Sequence, residues 1–264
     1  MLPAIAPRAL ARAIAATAFA ALAGAALPAA AQTPPAFSAT ARQILPDGAE
    51  QVGRIMKSGD NMRIEMQTNG RTAIQILRGG DGIAYLIDPA SRTYAQIADP
   101  SVAEAVQGAS TPCPPAAEMQ AQGLSCQPVG QGQVSGIRTQ TWQITAPGAE
   151  RPMVVEWDSG RRRALVQTWP DGTRLSLTFQ AMQDLGGRPV EYWISRLERP
   201  GQPAQIGGWW FDPELRVVVR EDMPGGITRS LEDIRVGPLE AALFEPPAGY
   251  TRVEPQPATP TTGQ

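Results

Sequence analysis

The side chains best equipped for chemistry in this chain are arginines and carboxylates, because it contains no histidine. That removes Ser-His-Asp and Cys-His catalysis and imidazole metal ligation. Glu156 with Asp158, and Glu221 with Asp222, are the carboxylate pairs close enough to suggest general acid–base work. With 25 acidic residues such pairs arise by chance, and no nucleophile elbow, phosphate loop or metal-ligand cluster accompanies them. The run Gly160-Arg161-Arg162-Arg163 could hold a phosphate head group or an acidic partner. Directly after an Asp-Ser-Gly turn, it reads more simply as a solvated hairpin tip. Cys113 and Cys126 lie in a Pro/Ala/Gln/Gly segment. In an oxidising compartment such a pair closes a loop as a disulfide; a redox or metal pair would need a spacing that is not there. The expectation is binding without catalysis, and no cofactor.

The compartment is read from the first 31 residues. Arg8 and Arg12 precede an apolar run from about Ala13 to Leu27, and Ala29-Ala30-Ala31 supplies small residues for cleavage. This is the pattern of a secretory signal peptide (residues 1–31). The run is too short and alanine-rich for a good membrane anchor, and no cysteine follows the cleavage site to carry a lipid. The mature chain is expected to be soluble and periplasmic. The whole chain carries a net charge of −2, and removing two arginines makes it more negative. That balance argues against a nucleic-acid partner.

The elements that must position any site are announced by turns. Pro46-Asp47-Gly48, Asn69-Gly70, Asp88-Pro89, Asp158-Ser159-Gly160, Pro170-Asp171-Gly172, Asp212-Pro213 and Pro224-Gly225-Gly226 interrupt the chain at short intervals. Between them, Met62, Ile64 and Met66 alternate with Arg63, Glu65 and Gln67, and Leu175, Leu177 and Phe179 alternate with Arg174, Ser176 and Thr178. Period-two alternation gives strands with one buried and one wet face. One unit recurs at an offset of about 54 residues: Trp157 falls on Phe211, Asp158 on Asp212, Pro170 on Pro224 and Gly172 on Gly226. Asp88-Pro89-x-x-Arg92 echoes Asp212-Pro213-x-x-Arg216. The stretch 99–136 breaks the pattern and is expected to be a helical insert, with one short helix after Asp99-Pro100 and another stopped by Gly123. The Pro- and Thr-rich tail, 253–264, is expected to be disordered.

The combination of a signal peptide, "MRIEMQTNGRTAIQILRGGDGIAYLIDPASRTYAQI", a helical insert and "GGWWFDPELRVVVREDMPGGITRSLEDIRVGPLEAALFEPPAGY" resembles the superfamily of periplasmic lipoprotein carriers, the LolA- and LolB-like proteins. It also resembles exported domains of unknown function with that fold. The likeness runs over most of residues 37–252. It implies a mainly β chain: one domain, 32–252, built as a strongly curved, unclosed antiparallel half-barrel with short helices over its concave side. It implies an apolar concavity for a hydrophobic ligand such as an acyl chain, a lipid or a lipoprotein tail.

The candidates for lining that concavity are Met56, Met62, Ile64, Met66, Trp157, Trp209, Trp210 and Phe211. Methionine suits an adaptable apolar surface and tryptophan brings large contact area; the plainer reading for each is core packing. Trp209 and Trp210 are adjacent on a strand, so they must face opposite sides of the sheet. The competing function is a non-enzymatic cell-envelope interaction module. There a partner strand would add to an exposed sheet edge.

Overall fold

The structure is a computed structural model that describes residues 33–255 apart from Asn69. The expected signal peptide and most of the expected tail lie outside the described residues. The strands are β1 (Phe37–Ile44), β2 (Glu50–Ser58), β3 (Asn61–Thr68), β4 (Arg71–Arg78), β5 (Ile83–Asp88), β6 (Thr93–Ala98), β7 (Ser125–Val134), β8 (Ile137–Thr145), β9 (Met153–Asp158), β10 (Arg163–Thr168), β11 (Arg174–Leu185), β12 (Arg188–Glu198), β13 (Gln205–Asp212), β14 (Val217–Asp222), β15 (Thr228–Val236) and β16 (Thr251–Val253). Helices α1 (Val102–Gln107) and α2 (Ala116–Gln122) lie between β6 and β7, and a 3-10 turn spans Ala241–Phe244.

All sixteen strands form one sheet in the order β16-β6-β5-β4-β3-β2-β1-β15-β14-β13-β12-β11-β10-β9-β8-β7. It is two meanders, β1 to β6 and β7 to β15, stitched at a single seam where β1 pairs with β15. The outermost strands, β16 and β7, do not pair with each other, so the sheet is an unclosed barrel. Its curvature follows from which parts touch. Arg162, in the β9–β10 turn, bonds the end of α1, and α1 packs on Leu77 of β4 and Ala84 of β5. In a flat sheet β4 and β10 would stand roughly 43 Å apart, at about 4.8 Å per strand. Six residues of helix reach only about 9 Å, so the sheet must curl until its two walls approach.

Direct pairing partners share a face, which traces the two surfaces strand by strand. Met62, Ile64 and Met66 lie opposite Lys57, Ile55 and Gly53. That row continues through Phe37, Ala39 and Ala41 of β1, then Leu231 and Arg229, Glu221, Trp209, Trp193 and Phe179. This is the inner face, since α1 and the turn residue Leu215 pack on it. The outer face carries a separate core of Met56, Ile74, Ile76, Tyr85 and Ile87, sealed by Phe244 from the 3-10 turn.

The repeated sequence unit is a repeated hairpin. Asp158 Oδ1 accepts the backbone N–H of Gly160 (2.9 Å) and Arg161 (3.3 Å), and Asp212 Oδ1 accepts those of Glu214 and Leu215 (2.9 Å each). Asp88 Oδ1 accepts the N–H of Ala90 at 2.9 Å. Each turn then closes on an arginine in the left-handed region: Arg92 (φ 53°), Arg162 (φ 51°) and Arg216 (φ 54°). The register repeats too. Trp157 pairs with Ala164 and Glu156 with Val166, leaving Leu165 as a bulge. Phe211 pairs with Val218 and Trp210 with Arg220, leaving Val219 as a bulge. Bulges bend strands, and both extra residues are buried.

Three expectations are corrected. The insert is not helical to 136, because residues 125–134 form β7. Its Gly/Gln/Pro composition hides a strand that exists because β8 supplies a template on one side; as an edge strand it tolerates Pro128, beside which the register shifts. Val253, assigned to the tail, belongs to β16. And β16 runs parallel to β6, since the chain crosses the outer face before reaching that edge.

Candidate functional site

Helix α1 straps the inner face. Val102 and Val106 bury against Leu77 and Ala84, with Met62 and Ile97 packed alongside. No basic residue lies in its last turn, so the sheet supplies the cations that a helix C-terminus favours. Lys57 Nζ from β2 donates to the Val106 carbonyl, and Arg162 Nη1 donates to those of Gln107 (2.9 Å) and Gly108 (3.4 Å). Burial lowers the Lys57 pKa below its usual value, Asp60 opposing and Arg162 adding to the effect.

Beyond the strap, three clefts follow one another around the inner face. One of about 700 Å³ lies over β3 to β6, lined by Ile64, Met66, Ala73, Leu86 and Ala95 among others. A second, about 320 Å³, holds Met66, Ala41, Val219 and Leu231 with Arg229 and Glu221. The third, about 560 Å³, is walled by Leu175, Leu177, Leu197, Trp169 and Met223, with Glu221 and Arg163. Met66 is shared by the first two and Glu221 by the last two. Gly53 makes room for the first junction: a Cβ there would lie 2.5 Å from Met66 Sδ and 2.3 Å from the Glu65 carbonyl oxygen.

The second junction is charged. Arg163 Nη2 donates to Glu221 Oε1 at 3.4 Å, and its guanidinium stacks on Trp209, 4.3 Å from the ring centroid. Arg229 reaches Glu221 Oε2 at 4.0 Å and donates to Gln43 Oε1 at 2.9 Å. Burial lowers the Arg163 pKa, with Glu221 opposing, yet a guanidinium stays charged near neutral pH. Arg161 is different: Glu191 takes two of its N–H groups (2.7 and 2.8 Å), Asp158 a third (2.6 Å), and those bonds raise its pKa. The solvated tip expected from Gly160 to Arg163 is thus a set of three arginines with three different partners. Among the described residues no group of three or more His, Cys, Asp or Glu side chains is arranged to hold a metal ion.

No family model matches this sequence. No curated protein matches it either. Solved structures are similar at a distance. A LolA superfamily protein from Nitrosomonas europaea is 10% identical with a TM-score of 0.37, over 81% of this chain and 91% of that one. An uncharacterised conserved protein from Thermus thermophilus is 9% identical at 0.31, over 84% and 91%. MucB in its complex with MucA, from Pseudomonas aeruginosa, is 11% identical at 0.21, over 78% and 95%. None of the three superposes closely.

The residues singled out from sequence divide between the faces. Ile64 and Met66 line clefts, and Met62 lies beneath α1. Trp209 and Phe211 are on the inner face but buried in a core with Leu165, Leu177 and Trp193. Trp157 is also inner and buried, and among the described residues the indole N–H groups of Trp157 and Trp209 have no acceptor. Met56 is on the outer face. Trp210 is outer as well, stacked on Tyr192 at 4.7 Å with its N–H donated to Gln183 Oε1 at 2.9 Å. Cys113 and Cys126 are bonded, Cα to Cα 5.7 Å. Sequence reasoning does not single out Arg163 alone, Glu221 as a groove residue, or Arg229. The alternation of Leu175 and Leu177, carried across strand pairs, is the signal that could have found them.

Proposed function

We propose that this chain is an exported, periplasmic carrier-like protein that holds a hydrophobic ligand (an acyl chain, a lipid or a lipoprotein tail) along its inner face. One observation carries this reading: three adjoining clefts, each within the roughly 300–1,000 Å³ usual for ligand pockets, run along one apolar face and share lining residues. Burial of apolar surface, worth about 25 cal/mol per Å², supplies the affinity without covalent chemistry. Ile64 and Met66 would contact the ligand and α1 would cover one end of it. The test is native mass spectrometry of the mature protein isolated from a bacterial periplasm, followed by solvent extraction and lipid analysis. A stoichiometric acyl species is expected. A clean apo mass that also fails to take up a fluorescent fatty acid overturns the reading.

A second reading, an envelope interaction module, is favoured by the edge strand β7, which among the described residues pairs only with β8 and exposes Val129. A partner strand added there would leave the clefts empty and protect the β7 amides from exchange.

A further inference from the structure

We propose that Arg163 is the head-group anchor of the groove, so that the ligand is an anionic amphiphile carrying a carboxylate or phosphate, with its tail along the leucine wall. The assignment rests on the carrier reading and narrows its ligand. Strand β10 places Arg163 on the inner face, at the lining of the 560 Å³ cleft and beside Leu177 and Ser195. Its side chain is 33% exposed, and the ring of Trp209 holds its plane. A guanidinium has five N–H donors in a fork suited to bidentate carboxylate or phosphate. Among the described residues only one of them is used, in the 3.4 Å bond to Glu221. Arg161, two residues earlier, shows what a structural arginine looks like here, with three bonds of 2.6 to 2.8 Å. Keeping a partly desolvated guanidinium so weakly paired is costly; an incoming anion relieves that cost by taking the vacant donors. Arg229 lies on the other side of Glu221, so that carboxylate sits between two cations; Arg199, Asp171 and Asp222 also line the 560 Å³ cleft. Glu221 then acts as the internal competitor that the ligand head displaces.

The test uses the full mature chain and two probes with the same tail, dodecanoate and 1-dodecanol, at pH 7.5 and low salt. Wild type is expected to bind dodecanoate about tenfold or more tightly than the alcohol, a charge-assisted bidentate contact being worth at least that. Arg163→Gln should bring the dodecanoate-to-dodecanol affinity ratio down to about one, and Arg163→Lys should restore part of it. Glu221→Gln, which keeps the arginine and removes its competitor, should raise the dodecanoate-to-dodecanol affinity ratio above that of wild type. Equal binding of the two probes by wild type overturns this inference and leaves the carrier reading standing. Binding of neither overturns both. Displacement of dodecanoate by inorganic phosphate at similar concentrations also overturns the inference, because the site would then recognise a free anion and not an amphiphile.

Discussion

Lys57 is the only lysine in the chain, and it is used as a cap. Its ammonium holds the Val106 carbonyl at the end of α1, and burial lowers its pKa from the ordinary 10.5. Between that lowered value and 10.5 the unfolded chain binds more protons at this site than the folded chain, so the lysine's contribution to stability improves as pH rises through the window. A single labelled lysine resonance should therefore titrate below 10.5, and Lys57→Met should remove the corresponding slope from a pH series of unfolding free energies. A midpoint at or above the ordinary value would contradict that burial. The arginines behave in the same way. In the sequence, Arg161, Arg162 and Arg163 read as one basic run on a solvated tip. What separates them is a turn with Arg162 in the left-handed region, which aims its neighbours apart: one at Glu191, one at α1 and one at the groove. Charge is legible in a sequence, but the direction a side chain takes from a bulged hairpin is not.

The hairpins are the most legible elements. Alternation and turn chemistry locate most of the strands, and the 54-residue echo of Trp157 at Phe211 reflects a shared register and a shared bulge. What the echo does not reveal is how much rests on its aspartates. Asp212 is fully buried, accepts two backbone N–H groups and pairs with Arg188 at 2.5 Å. Asp212→Ala should cost about 3 kcal/mol, since it leaves two backbone donors unmet and the partly buried Arg188 with only the exposed Glu214, 2.9 Å away, as its partner; urea denaturation would measure it. Asp88→Ala, in the exposed copy of the turn, should cost clearly less. Equal losses would mean that burial is not what distinguishes the copies. The strand β7 is hidden for the opposite reason: its residues have poor strand propensity, and tertiary pairing with β8 overrides it. The faces of Met56 and Trp210 are likewise out of reach, because register against neighbouring strands, not spacing along one strand, decides which side a residue takes.

At the scale of the molecule, the resemblance carries the architecture and the alternation carries the faces, but the groove needs the curl that brings β4 and β10 together under α1. Arg162 spans that gap. Arg162→Ala should raise hydrogen exchange in α1 by severalfold while the β11–β12 amides stay protected; unchanged exchange in α1 would show that its valines and the Lys57 cap hold it without Arg162. The seam between the two meanders has a consequence for how the chain acquires its structure. Every other antiparallel pairing joins consecutive strands, but β1 must find β15, with Phe37 against Val236 and Ile44 against Thr228. Loop-closure entropy and high contact order make such a pairing late and slow. Synthesis runs from the N-terminus, so β1 emerges first and waits with one edge bare until nearly the whole protein has followed. The first strand out is thus the one longest at risk of pairing with a stranger, and a chaperone that shields a lone strand would matter most at residues 37–44.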